Sequence, residues 1–355
     1  MSGVLYLHAG FHKTGSTAIQ HFAAHHRRRL KAGGVLYPRL WPATFRPVAG
    51  HHFLAHAVAG NERFLTLRQA TRLVGRWRRA AEGRGLTVLL SSEAVCRQAL
   101  SGEAELAASQ EAFLRRFQSV LEGFDIKPVL VVRRQDDFVR SLYQEHVTQG
   151  RGVTARMKFG DYLEKAAIDK SRFLERLRLF RSVFGSVHLM IYERLRQAGL
   201  PSAFFSELGL DVAGGQHSLG ETRKSPSPGE TILKQKLNPW VRNDRQNVRL
   251  IKWLRSRRMR ELLERQYPAD LSLWSSEKER SNFMRRFQSE NEHILAEFGD
   301  SQWRTLFPQN APESVKSSSS AAGEVEEATA RILNQKKAKL ASILGRDALE
   351  QLING

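Results

Sequence analysis

Four short runs of the chain are apolar with little alternation: Val4 to Leu7, Val88 to Leu90, Pro128 to Val132 and Val187 to Ile191. A run apolar on both faces belongs in a parallel sheet covered by helices on each side. The segments between these runs have the helical period. After the first, Ile19, Phe22, Ala23, His26 and Leu30 keep one face while Gln20, His21, His25 and Arg27 point elsewhere. Gly33-Gly34 ends that helix, and Val35 to Tyr37 reads as a short strand before Pro38. Strands alternating with helices predict a three-layer α/β domain with a central parallel sheet flanked by helices.

From Leu233 onward the pattern is helical and heavily charged, and Asn291 to Phe298 is the last segment expected on the core. Pro308 and Pro312 break it, and Ser317 to Ser320 with Ala321-Ala322-Gly323 reads as a flexible linker. Glu324 to Leu352 then predicts a lone amphipathic helix carrying Ile332, Leu340, Ile343, Leu344 and Ala348 on one face. The expected division is a main domain over residues 1–310, a linker over 311–323 and a helical tail over 324–355. Oligomerisation, docking and loose attachment all remain open for the tail, as does the oligomeric state.

At 355 residues and 41% hydrophobic content the chain has enough material for one large core. Its apolar runs fall far short of the ~20 residues of a membrane span, and the amino terminus reads as a strand rather than a signal peptide. The single cysteine, Cys96, excludes an internal disulfide and any multi-cysteine metal site. A cytoplasmic protein without a metal is expected. The net charge of +20 changes the picture, because its carriers gather at Arg27-Arg28-Arg29, Arg76 to Arg79 and Arg255 to Arg260. Such charge draws nucleic acid, an anionic membrane surface or an acidic small molecule or glycan, unless the runs are only solvated helix faces. No zinc-finger spacing or RNA-recognition aromatic motif is present, so a specific nucleic-acid partner is not expected.

The densest chemistry lies between the first strand and the first helix, in His8-Ala9-Gly10-Phe11-His12-Lys13-Thr14-Gly15-Ser16-Thr17. A glycine-containing turn that opens a helix offers an anion several backbone N–H groups and the positive end of the dipole. Lys13 adds a charge, and Thr14, Ser16 and Thr17 add hydroxyls. A nucleoside-triphosphate loop carries its lysine directly after the second glycine. Here Lys13 precedes Gly15, against a P-loop kinase. The segment, with Gly10, His12, Lys13, Thr14, Gly15, Ser16 and Thr17 as candidate contacts, resembles the 5′-phosphosulfate loop of sulfotransferases that use 3′-phosphoadenosine-5′-phosphosulfate (PAPS).

A second element strengthens the resemblance. Arg133 closes the strand Val129 to Val132, and Ser141 follows with seven residues between, inside Arg133-Arg134-Gln135-Asp136-Asp137-Phe138-Val139-Arg140-Ser141-Leu142-Tyr143. In the sulfotransferase family such a pair holds the 3′-phosphate. The stretch is similar to bacterial sulfotransferase-like proteins that carry Arg-Arg-Gln-Asp followed by Ser-Leu-Tyr. The resemblance covers roughly residues 1 to 310 and implies a P-loop-like sandwich and metal-free sulfuryl transfer from the co-substrate PAPS to a hydroxyl. It further implies that Val187 to Glu193 is a late strand ending in Tyr-Glu, with Tyr192 near the adenine. Arg223-Lys224-Ser225 is the nearest counterpart of a basic loop that closes on the 3′-phosphate.

By this resemblance Lys13 stabilises charge on the departing oxygen, and the acceptor hydroxyl needs a general base. Glu93, after the strand Thr87 to Leu90, is the first candidate, and His52 with its neighbour His51 the second. The basic surface favours an anionic glycan or lipid headgroup as acceptor and is compatible with contact to a membrane surface. Two alternatives stand beside this reading: a non-catalytic binder of nucleotides or polyanions, and a kinase.

Overall fold

The computed structural model describes residues 3–40, 43–44, 48–100, 106–210, 225–308 and 322–354. The described chain forms two compact units. One contains the residues up to Arg134, Arg172 to Leu210 and Ser289 to Pro308; the other contains Gln135 to Ser171, Ser225 to Gln288 and the helices beyond residue 321.

The first unit holds strands β1 (Gly3–His8), β2 (Val35–Leu36), β3 (Thr87–Ser91), β4 (Phe124–Val132) and β5 (His188–Ile191). They form one parallel sheet in the order β2-β3-β1-β4-β5. Its helices are α1 (Ser16–His25), α2 (Arg27–Ala32), α3 (His52–Val58), α4 (Leu67–Glu82), α5 (Leu106–Val120), α8 (Leu174–Phe184), α9 (Tyr192–Gln197), α10 (Ser202–Glu207) and α15 (Gln288–Phe298). The predicted α/β class with a helix-flanked parallel sheet is present.

Side chains alternate across the sheet, and both faces are dry. Leu89, Val129, Val131 and Met190 meet Ile19, Phe22, Phe204 and Phe205 from α1 and α10. The alternate positions Leu5, Leu7, Val88, Leu90, Leu130 and Val132 are also buried, and α4 packs on β1 and β3 and α8 on β4. Each large side chain removed from water in this way contributes about 1.5–3 kcal/mol.

Three boundaries differ from expectation. The helix foreseen from Ile19 to Leu30 breaks at His26, so α1 and α2 are separate turns of chain. β4 starts at Phe124, because Asp125 and Lys127 extend the ladder along Val4 to Tyr6 outside the fully apolar run. Pro128 is tolerated there since β5 joins only from Val129 onward, leaving its missing N–H without a ladder partner to disappoint on that side. Finally, β5 stops at Ile191, and Tyr192-Glu193 opens α9 instead of ending a strand.

The second unit comprises α6 (Gln135–Gln149), α7 (Phe159–Tyr162), α11 (Pro228–Leu237), α12 (Asp244–Leu254), α13 (Arg257–Gln266), α14 (Glu277–Arg285), α16 (Ala322–Gln335), α17 (Lys337–Leu344) and α18 (Arg346–Asn354). The tail is three helices, not a lone one, and the chain turns at Lys336 and Gly345. Ile332, Leu340, Ile343 and Leu344 share a core with Leu233, Leu250 and Leu262. Ala322 and Gly323, expected in the linker, open α16; the rest of that linker lies outside the described residues.

The carboxyl end of α6 is closed by side chains. Lys234 and Asn238 donate to the carbonyl of Val147, and Asn247 donates to those of Thr148 and Gln149. Burial lowers Lys234 to about 7. Near the amino end, Asp136 pairs with Arg280 at 2.6 Å, both buried. Among the described residues, no helix is long and apolar enough to cross a membrane, and no cluster of three His, Cys, Asp or Glu side chains is arranged to hold a metal.

Candidate functional site

Parallel strands bring their carboxyl ends to one edge, and the sequence places its candidate groups there. His8 ends β1 opposite Ser91, the last residue of β3, and Arg133 follows the last residue of β4. Ligands of such sheets bind beyond this edge.

The loop after β1 stays tethered to β4, since the N–H of Ala9 donates to Val129 (3.0 Å) and that of Phe11 to Val131 (3.3 Å). It then turns sharply. Lys13 has φ 62°, the only non-glycine residue with positive φ among those described, and Gly15 has φ 80°. A left-handed lysine costs on the order of 1–2 kcal/mol, so the surroundings must hold it. Arg133 does so, donating from Nη1 to the Lys13 carbonyl at 3.1 Å. The same guanidinium lies 4.8 Å over the Tyr192 ring. Gly15 is required twice over, by its φ and because a Cβ there would lie 2.4 Å from Leu200 Cδ2 and 3.2 Å from the Tyr192 ring.

Gly15 also caps α1, so no side chain caps that helix, and its first turn has no acidic residue. The N–H groups of the first turn therefore lack the usual side-chain acceptor. The three loop hydroxyls divide. Thr14 is buried and donates to the Phe11 carbonyl at 2.6 Å, bracing the turn. Ser16 is buried with its Oγ 3.4 Å from Thr14 Oγ1. Thr17 is exposed. Gly10 has an internal reason: a Cβ would come within 2.9 Å of His8 Nε2 and 3.3 Å of Thr14 Oγ1.

On the β3 side of the loop lies a cluster of imidazoles around one carboxylate. Glu93, in the short turn Glu93–Cys96 after β3, has its Oε2 3.3 Å from His12 Nδ1. Burial alone would raise this carboxyl, but hydrogen bonds from His12 and Ser16 and the charges of His12 and His52 outweigh it and hold it down to about 2. His8 is fully buried, with Nδ1 2.8 Å from Ser91 Oγ and with Nε2 unpartnered among the described residues. Burial pushes it down to about 4. His51 is locked, because its Nδ1 accepts from the Ser91 N–H at 3.0 Å and its Nε2 therefore donates to the Pro38 carbonyl at 3.1 Å. With both nitrogens committed it has no lone pair to offer as a base. His52 opens α3 with Nδ1 3.4 Å from Ser92 Oγ, and burial lowers its pKa.

The first unit thus gathers Lys13, Arg133, Tyr192, Glu93, His12 and His52 from one sheet edge. Ser141 lies in α6 of the second unit, where it is buried. Arg223 and Lys224 lie outside the described residues. Sequence reasoning missed the His8–Ser91 and His12–Glu93 pairs. The signal was available for the first, because parallel neighbours that end on a polar residue put those residues side by side. Compared with known proteins, the chain matches no family model, no curated protein and no solved structure.

Proposed function

We propose that the first unit is a P-loop-like nucleotide-binding unit and that the protein transfers a sulfuryl group from PAPS to an acceptor hydroxyl, with no metal taking part. The observation that carries this reading is the strained Lys13 held by Arg133 beside the uncapped start of α1. Strain of this kind persists where function needs it. It aligns a cation, a helix N-terminus and a guanidinium at one sheet edge, a combination suited to a ligand with several anionic groups.

In this reading the N–H groups at the start of α1 and the exposed Thr17 bind the 5′-phosphosulfate. Lys13 stabilises the charge that grows on the bridging oxygen as the sulfur–oxygen bond breaks. Preorganised donors of this type contribute about 10²–10³ in rate. Arg133 binds the ribose 3′-phosphate through its guanidinium. Tyr192 contributes to the adenine end, with one ring face already taken by Arg133. The Glu93 cluster serves the acceptor side.

The acceptor is an anionic glycan or lipid headgroup. In support, Arg68, Arg72, Arg76 and Arg79 of α4 are exposed and fall within one helix face at 100° per residue. Calorimetric titration with 3′-phosphoadenosine-5′-phosphate and with its analogue lacking the 3′-phosphate tests the nucleotide reading. Wild-type protein should prefer the bisphosphate, and Arg133→Ala should erase most of that preference. Equal affinity of wild type for both nucleotides, or no binding of either, contradicts it.

A further inference from the structure

A Glu93 held near pKa 2 is permanently ionised at neutral pH and is a poor proton acceptor, since efficient bases have pKa values near the working pH. The carboxylate nevertheless touches a group better suited to the task. Its Oε2 lies 3.3 Å from His12 Nδ1, and a carboxylate there can only accept. The neutral imidazole must then carry its proton on Nδ1, which leaves the lone pair on Nε2. That second nitrogen is buried and has no hydrogen-bond partner among the described residues, although the side chain as a whole is 20% exposed. A buried polar atom without a partner costs free energy, and a proton donor supplied by a substrate removes that cost.

Resting on the sulfuryl-transfer reading, we infer that His12 Nε2 is the general base and that Glu93 is its positioning residue. The acceptor O–H bond breaks and its proton passes to Nε2, while the acceptor oxygen bonds to sulfur. The bond from sulfur to the bridging oxygen breaks, and its electron pair remains on the 5′-phosphate. The products are a sulfate ester, the bisphosphate nucleotide and an imidazolium held by Glu93, which returns its proton to solvent. His12 is adjacent to Lys13 in the loop, so proton acceptor and leaving-group cation belong to one short segment. The other groups whose charge acts on this pair or on its neighbour His52 are His8 of β1, His52 and His56 of α3, and Arg97 at the end of the Glu93–Cys96 turn.

The test uses labelled PAPS with water as acceptor, since hydrolysis needs the same proton removal. His12→Asn should lose about 10²–10⁴ in turnover while its circular dichroism spectrum stays that of wild type. Wild-type log kcat should rise with pH along an imidazole limb, and in Glu93→Gln that limb should move to lower pH with part of the rate retained. A His12→Asn protein with near-normal turnover overturns the inference. So does a limb unmoved in Glu93→Gln, or a Glu93→Gln protein as inactive as His12→Asn with no imidazole limb in the wild type. Should His12→Asn fail to fold, nitrogen NMR of histidine-labelled wild type decides, because the inference requires the Nδ1–H tautomer at His12 and the Nε2–H tautomer refutes it. Failure of the parent reading looks different, since wild type would then neither bind the bisphosphate nor turn over PAPS.

Discussion

Lys13 combines two costs that a purely structural residue would shed: a left-handed backbone and a cation beside a positive helix end. Replacing it with Ala keeps the backbone strain and removes the charge. Lys13→Ala should therefore fold normally by circular dichroism and lose about 10²–10³ in PAPS turnover. An unfolded protein or unchanged kcat would remove Lys13 from the chemistry. Gly15→Ala should do the opposite, because φ 80° and the Leu200 side chain both reject a Cβ. It should cost about 1–3 kcal/mol in urea unfolding and abolish nucleotide binding. The buried imidazoles predict a pH effect. His8 and His51 sit near pKa 4 in the folded state against an ordinary 6.5. Between these values the unfolded chain binds protons that the folded chain refuses, so stability falls as pH drops from about 6.5 to 4. Urea midpoints across that range measure it, and His51→Gln should flatten the slope. At this scale the sequence marked Lys13, Gly15, Arg133 and Glu93, because each follows a strand at the edge where ligands bind. It did not mark which hydroxyls turn inward or that His12 meets Glu93, since those depend on loop torsions that no periodicity encodes.

Among elements, the strands were legible to within a residue or two wherever both faces are apolar, as in Val88 to Leu90 and Pro128 to Val132. The polar start of β4, with Asp125 and Lys127, was not, because its pairing with β1 is a tertiary fact. Helix period was readable for α1, but the breaks at His26 and at Lys336 were not, since neither carries a glycine or proline, whereas Gly345, with φ 101°, is a stop signal present in the sequence. Helix α4 is the element whose chemistry remains on the surface. Its amino end is secured by a capping box in which Thr66 and Gln69 bond reciprocally, so Thr66→Ala should cost about 1 kcal/mol. Its exposed arginines predict polyanion contact. Arg72→Glu combined with Arg76→Glu should lower the salt concentration that elutes the protein from a heparin column, with bisphosphate affinity unchanged. Elution at the wild-type salt concentration would return that face to mere solvation.

For the whole molecule, the residue pattern predicts a main domain over residues 1–310 and a helical tail over 324–355 whose attachment it leaves open. The structure instead gives two compact units, with the tail helices sharing a core with α11, α12 and α13. Ile332 is fully buried there, and Ile332→Ala should destabilise by about 2–5 kcal/mol, against almost nothing for a loosely attached extension. The net charge of +20 sets the expectation that the acceptor is acidic, but the donor is the central claim. Incubating wild-type protein with sulfur-labelled PAPS and a panel of acidic glycans, lipids and phenols measures that claim most directly. Release of the bisphosphate nucleotide with label on an acceptor, or on free sulfate at a slower rate, is the result this account predicts. Intact PAPS after prolonged incubation with protein that binds the bisphosphate would make the chain a nucleotide binder and contradict it.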